Sequence, residues 1–179
     1  MLMLKIFNIN FVVIRTRMGC EFSRCHIVYH YMKIVILSVG KEKDDLIDDI
    51  VRHFQTRLLR YLPVEWIFVA HDSTKEKEGE KILSQLKKED YVVLLDEKGK
   101  DMKSEALAEL VENRMVDSVR RMVFIIGGAY GASRAVEERA NYTWKLSSLV
   151  FPHMLVRVIL LEQLYRAMTI IKGEKYHHE

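Results

Sequence analysis

Cysteine, proline and long apolar runs are all scarce in this 179-residue chain, and each scarcity excludes something. The two cysteines, Cys20 and Cys25, both fall within the first 31 residues. From Met32 onward no thiol is present for a disulfide or a cysteine-based metal site, so a reducing cytoplasm is the expected compartment. No stretch reaches the roughly 18 uncharged apolar residues that a membrane span needs, and no membrane partner is expected. The eight glycines include neither a G-x-G-x-x-G dinucleotide fingerprint nor a glycine-lysine-serine/threonine phosphate loop, so nucleotide phosphates are not the expected ligand. Internal repeats, low-complexity tracts and linkers are absent too, and a single domain is expected over residues 32–179.

A surplus of one charge sign is also missing where it would matter. The formal net charge is +3, but Lys5, Arg15, Arg17 and Arg24 against Glu21 place the whole excess in residues 1–31. The remaining 148 residues hold 24 basic and 24 acidic side chains. Overall charge therefore gives no argument for DNA or naked RNA as a partner. A modest local bias exists from Arg139 onward, with six basic residues against three acidic ones and three histidines besides. A solvated helix face would produce the same bias.

Residues 1–31 show no steady period, caps or turn signals, whereas Met32 opens the apolar run KIVILSVG. The segment is expected to be an N-terminal extension from a mis-assigned start, with Met32 the first residue of the functional chain. A secretory signal fits less well, because the apolar run Phe11 to Ile14 is short and no small-residue cleavage site follows.

Beyond Met32, strands and helices alternate. Apolar runs predict strands at Lys33–Val39, Val64–Ala70, Tyr91–Leu95 and Met122–Ile126, with a brief fifth near Lys145–Ser147. Asp44 and Asp45 cap a helix whose Leu46, Ile47, Ile50, Val51, Phe54 and Leu58 recur at helical spacing, and Pro63 ends it. A charged helix, Ser73 to Lys88, is expected to be solvated and interrupted at Gly79. DEKGKDMK reads as a loop, Ser104 as the cap of a helix to about Val119, and Ser133–Ala140 as a short helix. Alternating elements with near-continuous apolar strands indicate an α/β fold, a parallel sheet with helices on both faces.

The last 29 residues, FPHMLVRVILLEQLYRAMTIIKGEKYHHE, stand apart. Pro152 suits a first helical position and Gly173 a left-handed stop, so the sequence bounds this helix at both ends. Its apolar side chains point in every direction, which predicts burial on all sides, by a sheet on one and a second subunit on the other.

In such sheets ligands sit at the carboxyl ends of the strands. Here those ends carry Leu95-Asp96-Glu97-Lys98-Gly99-Lys100 and Gly127-Gly128-Ala129-Tyr130-Gly131. Paired glycines let backbone approach a ligand, but a tight turn into the next helix accounts for them equally. His153 and Arg157 share a face at a helix start, where a positive pair would hold an anion; an interface arginine beside a satisfied histidine explains them as well. Glu162 and Arg166 read as a structural i,i+4 pair. Adjacent His177 and His178 lack the further ligands of a metal site.

Six segments carry a resemblance: MKIVILSVGK at Met32, KEKEGEKIL at Lys75, LLDEKGK at Leu94, FIIGGAYG at Phe124, FPHMLVRVILLEQLYRA at Phe151 and GEKYH at Gly173. Through them residues 32–179 resemble the bacterial pseudouridine N3-methyltransferases of the large (23S) ribosomal RNA, the small stand-alone members of the SPOUT class. The resemblance implies a C-terminal trefoil knot, a rare exception to unknotted connections. It implies S-adenosylmethionine held largely by backbone groups at Leu95, Gly127 and the run Leu146, Ser147, Ser148, Leu149, Val150 and Phe151. It also implies a homodimer through the long helix, with Tyr176 and His177 lying over the partner's cofactor. The implied reaction is attack of pseudouridine N3 on the cofactor methyl, with His153, Arg157, Tyr176 and His177 on the substrate side. The neutral balance of residues 32–179 suits a shaped ribosomal surface, the assembled ribosome, better than free RNA. Two other readings share these motifs: a non-catalytic ribosome-associated dimer, and a methyltransferase of a different RNA.

Overall fold

The structure is a computed structural model and describes residues 32–41, 44–128 and 131–176; the expectations for residues 1–31, His177 and His178 lie outside these. Ten elements alternate: β1 (Lys33–Val39), α1 (Asp45–Leu58), β2 (Val64–Val69), α2 (Lys75–Ser84), β3 (Tyr91–Asp101), α3 (Ser104–Val116), β4 (Arg121–Ile126), α4 (Arg134–Arg139), β5 (Tyr142–Lys145) and α5 (His153–Lys172). The five strands form one parallel sheet in the order β2-β1-β4-β3-β5.

The side-chain period of two along each strand builds two cores from the same apolar runs. Ile34, Ile36, Met122, Phe124 and Ile126 point to one face, where Leu58 of α1, Leu107 and Val111 of α3, and Leu160, Leu161 and Leu164 of α5 cover them. Val35, Leu37, Val39, Val123 and Ile125 point to the other, under Ile82 of α2 and Val136 of α4. Both faces are covered, which is why β1 and β4 need no polar alternation.

Several local expectations change once tertiary neighbours are present. Gly79 does not interrupt α2. A Cβ there would collide with Ser133 Oγ, so the glycine permits α2 to close on the start of α4, and Glu78, Gly79 and Ile82 are buried. The stretch DEKGKDMK is mostly strand, because β3 meets β5 again beyond an irregularity, pairing Lys100 with Trp144 and Asp101 with Lys145. Gly99 permits this: a Cβ would come within 2.8 Å of the backbone at Thr143 and Lys145. The fifth strand itself begins three residues earlier than its apolar pattern indicated. Ser104 is the first residue of α3 and not its cap; its hydroxyl donates to Gln163 Oε1 at 2.8 Å, tying α3 to α5.

Asp44 does cap α1, its carboxylate accepting from the Ile47 amide at 3.1 Å, yet Leu46 of the expected apolar face is 71% exposed. Pro152 precedes the first residue of α5, and Gly173 ends the helix with φ +66° as expected. Within the single chain α5 is not enclosed. It lies on the sheet between α1 and α3, while Met154, Val158 and Ile159 are half-buried and Leu155 is exposed. No helix among the described residues is long and apolar enough to cross a membrane.

Candidate active site

A cavity of about 440 Å³ opens at the carboxyl ends of β3, β4 and β5. Leu95, Gly127 and all six residues from Leu146 to Phe151 line it, as does His153 from the first turn of α5. Parallel strands end here side by side, and the segment entering α5 lines the same cavity, so Leu95 and Leu146, 51 positions apart, meet around it.

Its three glycines are there for different reasons. Gly131 has φ +76° with open space around it, so conformation alone demands glycine. Its amide donates to Gly128 O at 3.0 Å and closes the turn. A Cβ on Gly128 would collide with the carboxylate of Glu78 behind it. A Cβ on Gly127 would meet nothing closer than 3.5 Å, an ordinary contact. Packing thus does not require glycine at Gly127, whereas a ligand edge resting on bare backbone would. Trp144, 3% exposed, borders the same cavity, and its indole N–H is buried without a hydrogen-bond acceptor. Such an orphaned donor costs roughly 1–3 kcal/mol.

The cavity also has a charged rim. Lys75 of α2, Asp96, Glu97 and Lys98 of β3, and Glu137 of α4 all line the cavity. Only the β3 residues followed from the rule that ligands bind at strand ends; Lys75 and Glu137 arrive through helix packing, which has no sequence signal.

The substrate-side residues divide. His153 stands at the cavity wall. Arg157, one turn along, is 5% exposed and turned to the end of β1, donating to Ser38 Oγ at 3.2 Å and to Gly40 O at 2.8 Å, with its guanidinium 5.3 Å from the Phe68 ring centroid. Tyr176 lies against the far half of α5. Its hydroxyl donates to Glu162 Oε1 at 3.2 Å, its ring meets Tyr165 edge-on at 4.7 Å, and Arg166 and Arg57 lie over it at 4.9 and 5.4 Å. Burial, reinforced by Glu162, pushes the Tyr176 hydroxyl above the usual phenol range. Glu162 sits nine residues beyond His153, about 13 Å along the helix at its ordinary rise, so Tyr176 and the cavity of the same subunit are apart.

Comparison with known proteins matches this architecture. A family model described as "Predicted SPOUT methyltransferase" matches residues 32–177. The chain belongs to the SPOUT methyltransferase family. Among SPOUT relatives, the ribosomal RNA large subunit methyltransferase H of Halothermothrix orenii is 43% identical over 158 residues, covering 82% of this chain and 99% of the relative. That of Parabacteroides distasonis is 40% identical over 157 residues, covering 83% and 100%. A solved probable methylase family protein from Haemophilus influenzae shares the fold, with a TM-score of 0.50 at 12% identity over 81% of this chain and 68% of that one.

Proposed function

We propose that this SPOUT protein transfers a methyl group from S-adenosylmethionine to N3 of a pseudouridine in 23S ribosomal RNA, as a cytoplasmic homodimer acting on the assembled ribosome. The observation that carries this reading is a cavity at three strand ends that keeps a glycine, Gly127, where packing needs none. Leu95, Gly127 and residues Leu146 to Phe151 would hold the cofactor, reading its adenine edge through N–H and C=O groups. When bound, the cofactor supplies an electrophilic methyl on a sulfonium.

The residues around it would align N3 and handle its proton. His153 at the cavity wall is a group able to accept a proton near neutrality, and the positive end of α5 favours negative charge developing on the imide. Arg157 holds the start of α5 against β1, so that His153 and residues 146–151 keep a constant spacing. A knotted path for the C-terminal segment belongs to the same reading.

The half-buried outer face of α5 supports the dimer. Leu149 and Val150, which line the cavity, are 72% and 85% exposed, and Leu155 in the first turn of α5 is 39% exposed. Large apolar side chains left exposed close together in the chain mark an interface. Two α5 helices packed antiparallel about a two-fold axis would bring Tyr176 and His177 of one subunit toward the other's cavity.

Methyl transfer from labelled cofactor to ribosomes lacking the modification, with the modified nucleotide mapped, tests the proposal. Label at a pseudouridine N3 of 23S RNA is expected. Label confined to another RNA supports the alternative substrate, and no cofactor binding at millimolar concentration supports the non-catalytic dimer.

A further inference from the structure

Glu78 is a buried carboxylate that the reaction above does not use. It is 4% exposed, and its Oε1 accepts from the Asp72 amide at 3.1 Å with His71 Nδ1 at 3.4 Å. Burying a charge is costly unless donors hold it, so apolar packing would fill this space at less expense. The carboxylate nevertheless fills, Oε2 foremost, the space a side chain on Gly128 would take. The next residue, Gly79, allows α2 to close on Ser133, and that approach carries Glu78 to the turn. The backing is itself anchored, since Asp72 pairs with Lys81 at 2.8 Å and accepts from the Ser73 amide at 2.7 Å.

We propose that Glu78 is a positioning residue for cofactor binding: from behind, its carboxylate sets the Gly127–Gly128 backbone against which the cofactor rests. The inference builds on the cofactor site proposed above. Glu78 does not line the cavity, so it acts only through the turn, and the relation to Gly128 is one of complementary volume. Space left empty on one side is occupied by the other.

A thermodynamic cycle on the full-length protein tests this by calorimetry with S-adenosylmethionine, with a melting temperature for every variant. Gly128→Ala is expected to weaken binding by about tenfold or more, and Glu78→Ala by a comparable factor. The double variant should bind at least about threefold more tightly than Gly128→Ala alone, the non-additivity expected of groups in contact. Glu78→Gln, which keeps the length and the acceptor for Asp72 N–H, should stay within about threefold of wild type. Additive losses in the double variant, or unchanged affinity in both single variants, would overturn the positioning role. Should Glu78→Ala fail to fold, Glu78→Asp serves instead: the KM for cofactor is expected to rise while that for the ribosomal substrate holds, and parallel changes in both refute the inference. A wild-type protein that binds no cofactor would instead overturn the proposed site.

Discussion

Arg157 spans 119 residues of sequence to donate its Nε–H to Ser38 Oγ at 3.2 Å, tying the second turn of the last helix to the end of the first strand. The same guanidinium donates to Gly40 O at 2.8 Å. The cavity wall that α5 carries is therefore referenced to β1, an interior strand of the sheet, and not to its own loop alone.

Arg157→Ala should leave those acceptors buried and unpaired. A loss of about 2–4 kcal/mol in unfolding free energy is expected, read by denaturant titration, from the removal of charge-assisted bonds and aromatic packing. Arg157→Lys should recover only part of it, because an ammonium lacks the planar fork. Full recovery by lysine would mean the charge alone matters.

Gly127 and Gly131 should respond oppositely to alanine. Gly127→Ala meets no close contact, so the melting temperature should hold while cofactor affinity falls. Gly131→Ala is strained by its φ of +76° and should cost about 1 kcal/mol of stability. Unaltered cofactor affinity in Gly127→Ala would remove that position from the binding set.

Deletion from Gly173 onward should abolish methylation yet leave α5 and its outer face intact. Analytical ultracentrifugation is expected to report an unchanged dimer, and single-turnover assay no product. Surviving activity would show that Tyr176 and His177 do not complete the partner's site.

The tail's attachment should also be readable by pH. The Tyr61 hydroxyl donates to Glu174 Oε2 at 2.6 Å, and both it and Tyr176 titrate above their ordinary value, chiefly through burial and then through the neighbouring carboxylates. Groups raised on folding contribute stability that is complete below the unfolded pKa, about 10 for tyrosine, and is lost as pH climbs through the folded value. Absorbance titration at alkaline pH should show late-ionising phenols that disappear in Tyr61→Phe/Tyr176→Phe. A wild-type curve with every tyrosine ionising at its ordinary value would refute the docked tail.

Much of the candidate site was legible before any fold was known, because backbone chemistry leaves local marks. Strand ends followed by glycines, and a proline ahead of a long apolar helix, drew attention to Leu95, Gly127 and His153, although a tight turn and a satisfied histidine explained them equally, and only the family resemblance singled out Leu146 to Phe151. Where the sequence misled, a partner distant in the chain had the last word: β5 extended β3 through DEKGK, and Ser133 turned Gly79 from a helix breaker into a packing contact.

The apolar runs by themselves determined the parallel sheet, since strands buried on both faces leave no alternating pattern and helices must cover both. Periodicity could not say which way Arg157 turns, that Glu78 lies behind Gly128, or that Tyr176 rests on Glu162 away from the cavity of its own chain. Those are relations between residues 119, 50 and 14 positions apart, and only packing, through volume and hydrogen-bond reach, decides among the orientations that one stretch of sequence allows.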